Sequence, residues 1–150
     1  MFISTKKKYQ ISLTKEEEDF IEQFQSSASI IDTIVFVDKL ENGSEEEKLV
    51  HKILSAAKLS TNQYVIVDKS KYSNVKLMSF DKRKFSALQH VISFGVPFSA
   101  VGLNTVNVGY SFFKLLDFEI LLVEAVSVLI GESRKKGMLW SEMKKMYEIE

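Results

Sequence analysis

Gln89-His90-Val91-Ile92-Ser93-Phe94-Gly95-Val96-Pro97 decides the fold. A run rich in β-formers stops at a Gly and a Pro, the punctuation that ends a strand. It is a short buried strand, and the Ile30 to Val37 run, whose apolar neighbours hardly alternate, implies burial on both faces as in a parallel sheet. The stretch reads as the middle strand of an α/β sheet. The loop at its carboxyl end, Gly95 to Pro97, is where such sheets keep their ligands.

The segments on either side support that reading. Ile30 to Val37 (IIDTIVFV) is the strongest β-branched run in the chain, bounded by Asp38 and then Asn42-Gly43. Ser44-Glu45-Glu46-Glu47 has the form of a capping box. The helix behind it runs to about Lys58, with Leu49, Val50, Ile53, Leu54 and Ala57 at helical spacing. Tyr64 to Val67 is a new strand, so strand, helix and strand make one βαβ unit. Earlier, Thr14-Lys15-Glu16-Glu17 is another capping box, and Phe20, Ile21 and Phe24 share one face of its helix. Later, Phe118 to Glu124 is the last good strand, and Phe112 to Leu115 is a short one. The tail from Val126 to Tyr147 is helical in two pieces broken near Gly131, the second with a stripe of Leu139, Met143, Met146 and Tyr147 beside Trp140. Val75 to Met78 reads as a short edge segment, Ser79 to Leu88 as a turn or loop, and Ser99 to Tyr110 as an irregular connection. The sum is an α/β chain with four to five mostly parallel strands and helices on both faces, a three-layer α/β/α sandwich.

Composition bounds the function. A chain of 150 residues is one domain by length, with residues 1–13 an N-terminal arm and 14–150 the folded unit. Hydrophobic residues at 45% and charged residues at 27% are ordinary for a soluble domain. Zero formal net charge provides no global field for nucleic acid or an anionic membrane. The absence of Cys excludes disulfides, thiolate zinc sites and Cys nucleophiles. No apolar run follows Met1 to Lys8, so no signal peptide is expected. The apolar stretches fall short of the ~18 residues of a membrane span. The expected compartment is the cytoplasm.

The candidate chemistry lies at the strand ends: Asp38, Asp68, Gly95, Pro97 and Glu124. Three acids there could form a hydrolytic or magnesium site, but acids also open loops and cap helices, which is the better reading. His51 and His90 are too isolated for a triad or a metal site and read as structural or surface residues. Asp38 to Gly43 has one Gly where a phosphate loop needs several. Lys69, Lys71, Lys76, Lys82, Arg83 and Lys84 form one basic group, and Arg134, Lys135, Lys136, Lys144 and Lys145 another. Either could touch phosphates, with Tyr72 or Phe80 stacking a base; a solvated face is the simpler account. Tyr110, Phe112, Phe113 and Trp140 are better candidates for a partner surface, because interface anchors are enriched in aromatics.

The order of these blocks resembles the DNA polymerase III psi subunit family. The points of likeness are Ile34-Val35-Phe36-Val37-Asp38-Lys39-Leu40 with its helix from Leu49 to Ala57 and the next strand, and the ending with Ser127-Val128-Leu129, a break, and Lys135-Lys136-Gly137-Met138-Leu139-Trp140. They span roughly residues 30–147. The family is similar to the uracil-DNA glycosylase fold without its catalytic residues. Here too Asp38 lacks the surrounding Gly and Pro of a water-activating loop, and Glu124-Ala125-Val126-Ser127 has no His. The resemblance implies a non-enzymatic, bacterial adaptor in DNA replication, joining the clamp loader to a chi-like subunit. It implies protein partners, only indirect or weak contact with nucleic acid, and no cofactor, metal or membrane. The alternatives are a DNA-processing hydrolase in which Asp38 activates water, and a module that pairs with itself through Phe112 to Leu116.

Overall fold

The computed structural model describes residues 13–96, 112–115 and 117–149. Pro97, Tyr110, Leu116 and the Ser99 to Tyr110 connection lie outside them. Five strands form one sheet: β1 (Thr33–Val37), β2 (Tyr64–Asp68), β3 (His90–Phe94), β4 (Phe113–Leu115) and β5 (Phe118–Val123). Their order is β2-β1-β3-β5-β4. The first four are parallel, and β4 runs antiparallel along β5 at the edge. The stretch around His90–Phe94 is thus the middle strand, buried along its whole length.

Among the described residues four α-helices flank the sheet: α1 (Lys15–Glu22), α2 (Glu45–Ala56), α3 (Val126–Leu129) and α4 (Ser133–Met146). Alternation along each strand divides the core in two. Ile34, Phe36, Val65, Val67, Val91 and Ile120 point to the first face, under α1 and the 69–88 connection. Val35, Val37, Ile92, Phe94 and Leu121 point to the second, under α2, α3 and α4. The chain leaves β1 for β2 over the second face and returns to β3, on the other side of β1, over the first. The switch in direction therefore falls between the carboxyl ends of β1 and β3, where open α/β sheets place ligands.

The caps explain where the helices start. Thr14 accepts the Glu17 N–H at 3.1 Å while Glu17 accepts the Thr14 N–H at 2.9 Å. The Glu17 carboxylate also takes the Asn74 backbone N–H at 2.7 Å and the Asn74 amide at 3.1 Å. One buried side chain thus caps α1 and ties it to the first-face connection. Phe20 reinforces the tie by stacking on Tyr72, with ring centres 4.2 Å apart. The second capping box forms by half. Ser44 accepts the Glu47 N–H, but Glu47 reaches back to the Gly43 N–H at 2.9 Å. The Ser44 N–H is already given to the Glu41 carbonyl, closing a turn in which Gly43 takes φ +77°.

Val75 to Met78 is not the edge segment its sequence suggests. Val75 and Leu77 are fully buried in the first-face core, and Leu77–Ser79 is a 3-10 turn. The connection has to cover the sheet between β2 and β3, so its apolar residues pack downward and do not pair with the edge. Among the described residues, no helix is long and apolar enough to cross a membrane.

Candidate functional site

The carboxyl edge of the sheet brings Asp38, Asp68, Gly95 and Glu124 to the ends of four adjacent strands. Each has a local structural tie. Asp68 is buried; one oxygen accepts the Leu40 N–H at 3.0 Å, and the other takes the N–H and hydroxyl of Ser70 at 2.9 and 2.5 Å. It pins the loop after β1 to the end of β2. Asp38 is exposed and accepts the N–H of Lys39 at 2.9 Å. Glu124 pairs with Lys135 at 3.0 Å, fastening the end of β5 to the first turn of α4. Gly95 takes φ +71°, and a Cβ there would lie 2.8 Å from the Ala125 Cα. The glycine lets β3 end flush against the chain leaving β5, and its N–H donates to the Val123 carbonyl at 2.8 Å. A side chain at this position would therefore meet Ala125.

Three members of the basic group of the 69–84 region are similarly engaged. Lys69 donates to the carbonyls of Ser73 and Val75 at 2.8 and 2.6 Å, and burial holds its pKa below the usual lysine value. Lys82 donates to the Leu88 carbonyl, and Arg83 pairs with Asp81 at 3.2 Å. Neither proposed base-stacking ring is free. Tyr72 lies face to face with Phe20, and Phe80 is buried edge-on to Phe85.

The amino edge holds a polar cluster that sequence reasoning missed. Thr33, His90 and Glu119 fall in one row across β1, β3 and β5. His90 is buried, with Nδ1 2.7 Å from Asp32 and Nε2 2.9 Å from Glu119, and its ring lies against Tyr147. The Thr33 hydroxyl donates to Asp32 at 2.7 Å and accepts from the Tyr147 hydroxyl at 2.7 Å. Burial works to raise the Asp32 carboxyl, but hydrogen bonds from His90, Gln89 and Thr33 hold it below the usual aspartate range. Burial pushes the Tyr147 hydroxyl up despite its bond to Thr33. The cluster fastens the end of α4 to the amino ends of three strands. The available signal was a polar residue at the start of each strand, with no hint of how the strands pair. His51, by contrast, is an exposed helix residue bonded to the Tyr64 hydroxyl at 2.6 Å. Among the described residues, no three His, Asp or Glu side chains are arranged to hold a metal ion.

The described aromatic residues of the candidate partner surface do not lie on one face. Phe112 and Trp140 pack on the second face, whereas Phe113 packs on the first. Successive residues entering β4 point to opposite sides of the sheet, so Phe112 and Phe113 are separated by it. Trp140 is half-buried rather than prominent. It stands in the wall of a groove between α2 and α4, with Leu49, Ile53 and Met143.

No protein-family model matches this sequence, and no curated protein matches it significantly.

Proposed function

We propose that this chain is a non-enzymatic adaptor of the psi type, which acts in DNA replication by bridging protein partners. The observation that carries this reading is the state of the carboxyl edge. There Asp68 holds a loop, Glu124 holds a helix, and Gly95 is closed over by Ala125. These groups serve the fold at the place where an α/β enzyme would hold its substrate. The five-stranded, mostly parallel sheet is the α/β architecture that the resemblance implies. The groove beside Trp140 supplies a concave, partly apolar outer surface of the kind protein partners occupy.

Affinity capture from the native host, with the full chain as bait, tests the reading. Clamp-loader or chi-like subunits should be retained. A parallel assay on uracil- and mismatch-containing DNA should show no base release. Release that disappears in Asp38→Asn would replace the adaptor with a hydrolase.

A further inference from the structure

On the second face, α2 and α4 leave a groove between them. Its apolar walls are Leu49 and Ile53 from α2 and Leu139, Trp140 and Met143 from α4, and it encloses about 190 Å³. A second hollow of about 190 Å³ continues it toward the start of α2 and shares Leu49, Lys52 and Lys136. The rim is basic. Lys48 and Lys52 stand one turn apart on α2, and Lys136 faces them from α4. Lys48 and Lys52 have no ion pair among the described residues, and Lys136 donates to the Ile130 carbonyl at 3.3 Å. Glu45, at the far end, is the single acid in the two linings.

We propose that this groove binds an acidic amphipathic helix of a partner protein. The inference rests on the reading of the chain as a protein-binding module and names the chemistry of one partner. A neutral or basic segment lying here would take three ammonium groups partly out of water with Glu45 as the one counter-charge in the linings, which is costly. Carboxylates flanking an apolar stripe would supply that counter-charge. They would also speed the encounter and fix its register. The walls favour aliphatic and aromatic side chains at helical spacing, as in other helix-in-groove complexes. Single-stranded nucleic acid fits less well, because it needs several stacking platforms along a basic track. Trp140 is the sole aromatic residue in these linings.

The 12 residues of α2 set the length of the groove at about 18 Å, which a helix of about twelve residues would fill. Random peptides of about that length, displayed on phage, would be panned against the full chain. Sequences rich in Asp and Glu, with apolar residues at i, i+3 or i+4, and i+7, are expected to enrich. A synthetic copy of the leading sequence should shift the emission of Trp140, the single Trp of the chain, toward the blue. The double charge reversal Lys52→Glu, Lys136→Glu should weaken that peptide roughly tenfold, with circular dichroism unchanged. Lys48→Glu provides an independent reversal on the same rim.

Enrichment of basic or unpatterned peptides, an unmoved Trp140 emission, or unchanged affinity in both charge variants would overturn the assignment. An oligonucleotide that shifted Trp140 as strongly would overturn it in favour of nucleic acid. Capture of replication subunits equally by parent and reversed variants would leave the adaptor standing and remove the groove from it. Binding of acidic peptides here, with those subunits refused, would do the opposite.

Discussion

At the residue scale, two positions carry the heaviest constraints, and both are at strand ends. Gly95 combines a left-handed φ with a backbone neighbour where its Cβ would be. An added methyl group meets Ala125, whose backbone cannot give way as a flexible side-chain tip could. Gly95→Ala should therefore cost about 2 kcal/mol or more, read as a lowered urea midpoint. Asp32 is the other. Its carboxylate accepts from His90, Thr33 and Gln89, so Asp32→Asn should destabilise the chain by about 1–3 kcal/mol at neutral pH. The sign of the pH dependence follows from the depressed folded pKa. The contribution is complete above the ordinary aspartate value of about 3.9 and is lost as pH falls through the lower folded value. Stability measured across that acid range should fall less steeply for Asp32→Asn than for the parent. The role of Asp32 is hard to see from the chain alone. Two of its three partners, His90 and Gln89, are more than fifty positions away, and only the pairing of β1 with β3 brings them to it.

At the element scale, the N-terminal helix depends on one buried carboxylate. Glu17 completes the cap of α1 and accepts two hydrogen bonds from Asn74. Glu17→Ala should loosen α1 from the first face at a cost of about 2–3 kcal/mol, because the Thr14 and Asn74 donors lose their acceptor. Hydrogen exchange should report it as earlier opening of α1 and the turn around Asn74, with the α2 amides less affected. The cap itself was legible, since Thr14 and Glu17 stand at the required spacing. Its second bond, to Asn74, was not, because nothing local joins the two. The strands were legible for a similar reason: β-branched runs between turn residues identify them without knowledge of neighbours. Val75 to Met78 misleads because two alternating apolar residues suit a strand as well as a loop folded onto a core. Phe112 and Phe113 mislead in the reverse sense. Two adjacent aromatics suggest one patch, yet the pleat sends them to opposite faces. Lys48 and Lys52 with Leu49 and Ile53 did carry a pattern, basic and apolar at helical spacing, but only the distance to α4 makes it a groove.

At the scale of the whole molecule, the sheet order separates two ends with different characters. The amino edge is tied by a buried polar row through β1, β3 and β5 and closed by Tyr147. The carboxyl edge is tied by Asp68, Gly95 and Glu124. Among the described residues these groups at both ends hold strands and helices in place, and it is the outer helical layer that we propose meets a partner. The sequence favours a structural role for the strand-end acids, but which loop or helix Asp68 and Glu124 hold is visible only once the strands are paired. Sedimentation of the purified chain mixed with the clamp-loader and chi-like subunits of its host tests the account most directly. The account predicts one species containing the chain and both partners, with neither partner sedimenting with the other when the chain is left out. A chain that sediments alone, while Asp38-dependent base release proceeds in the same preparation, would contradict it.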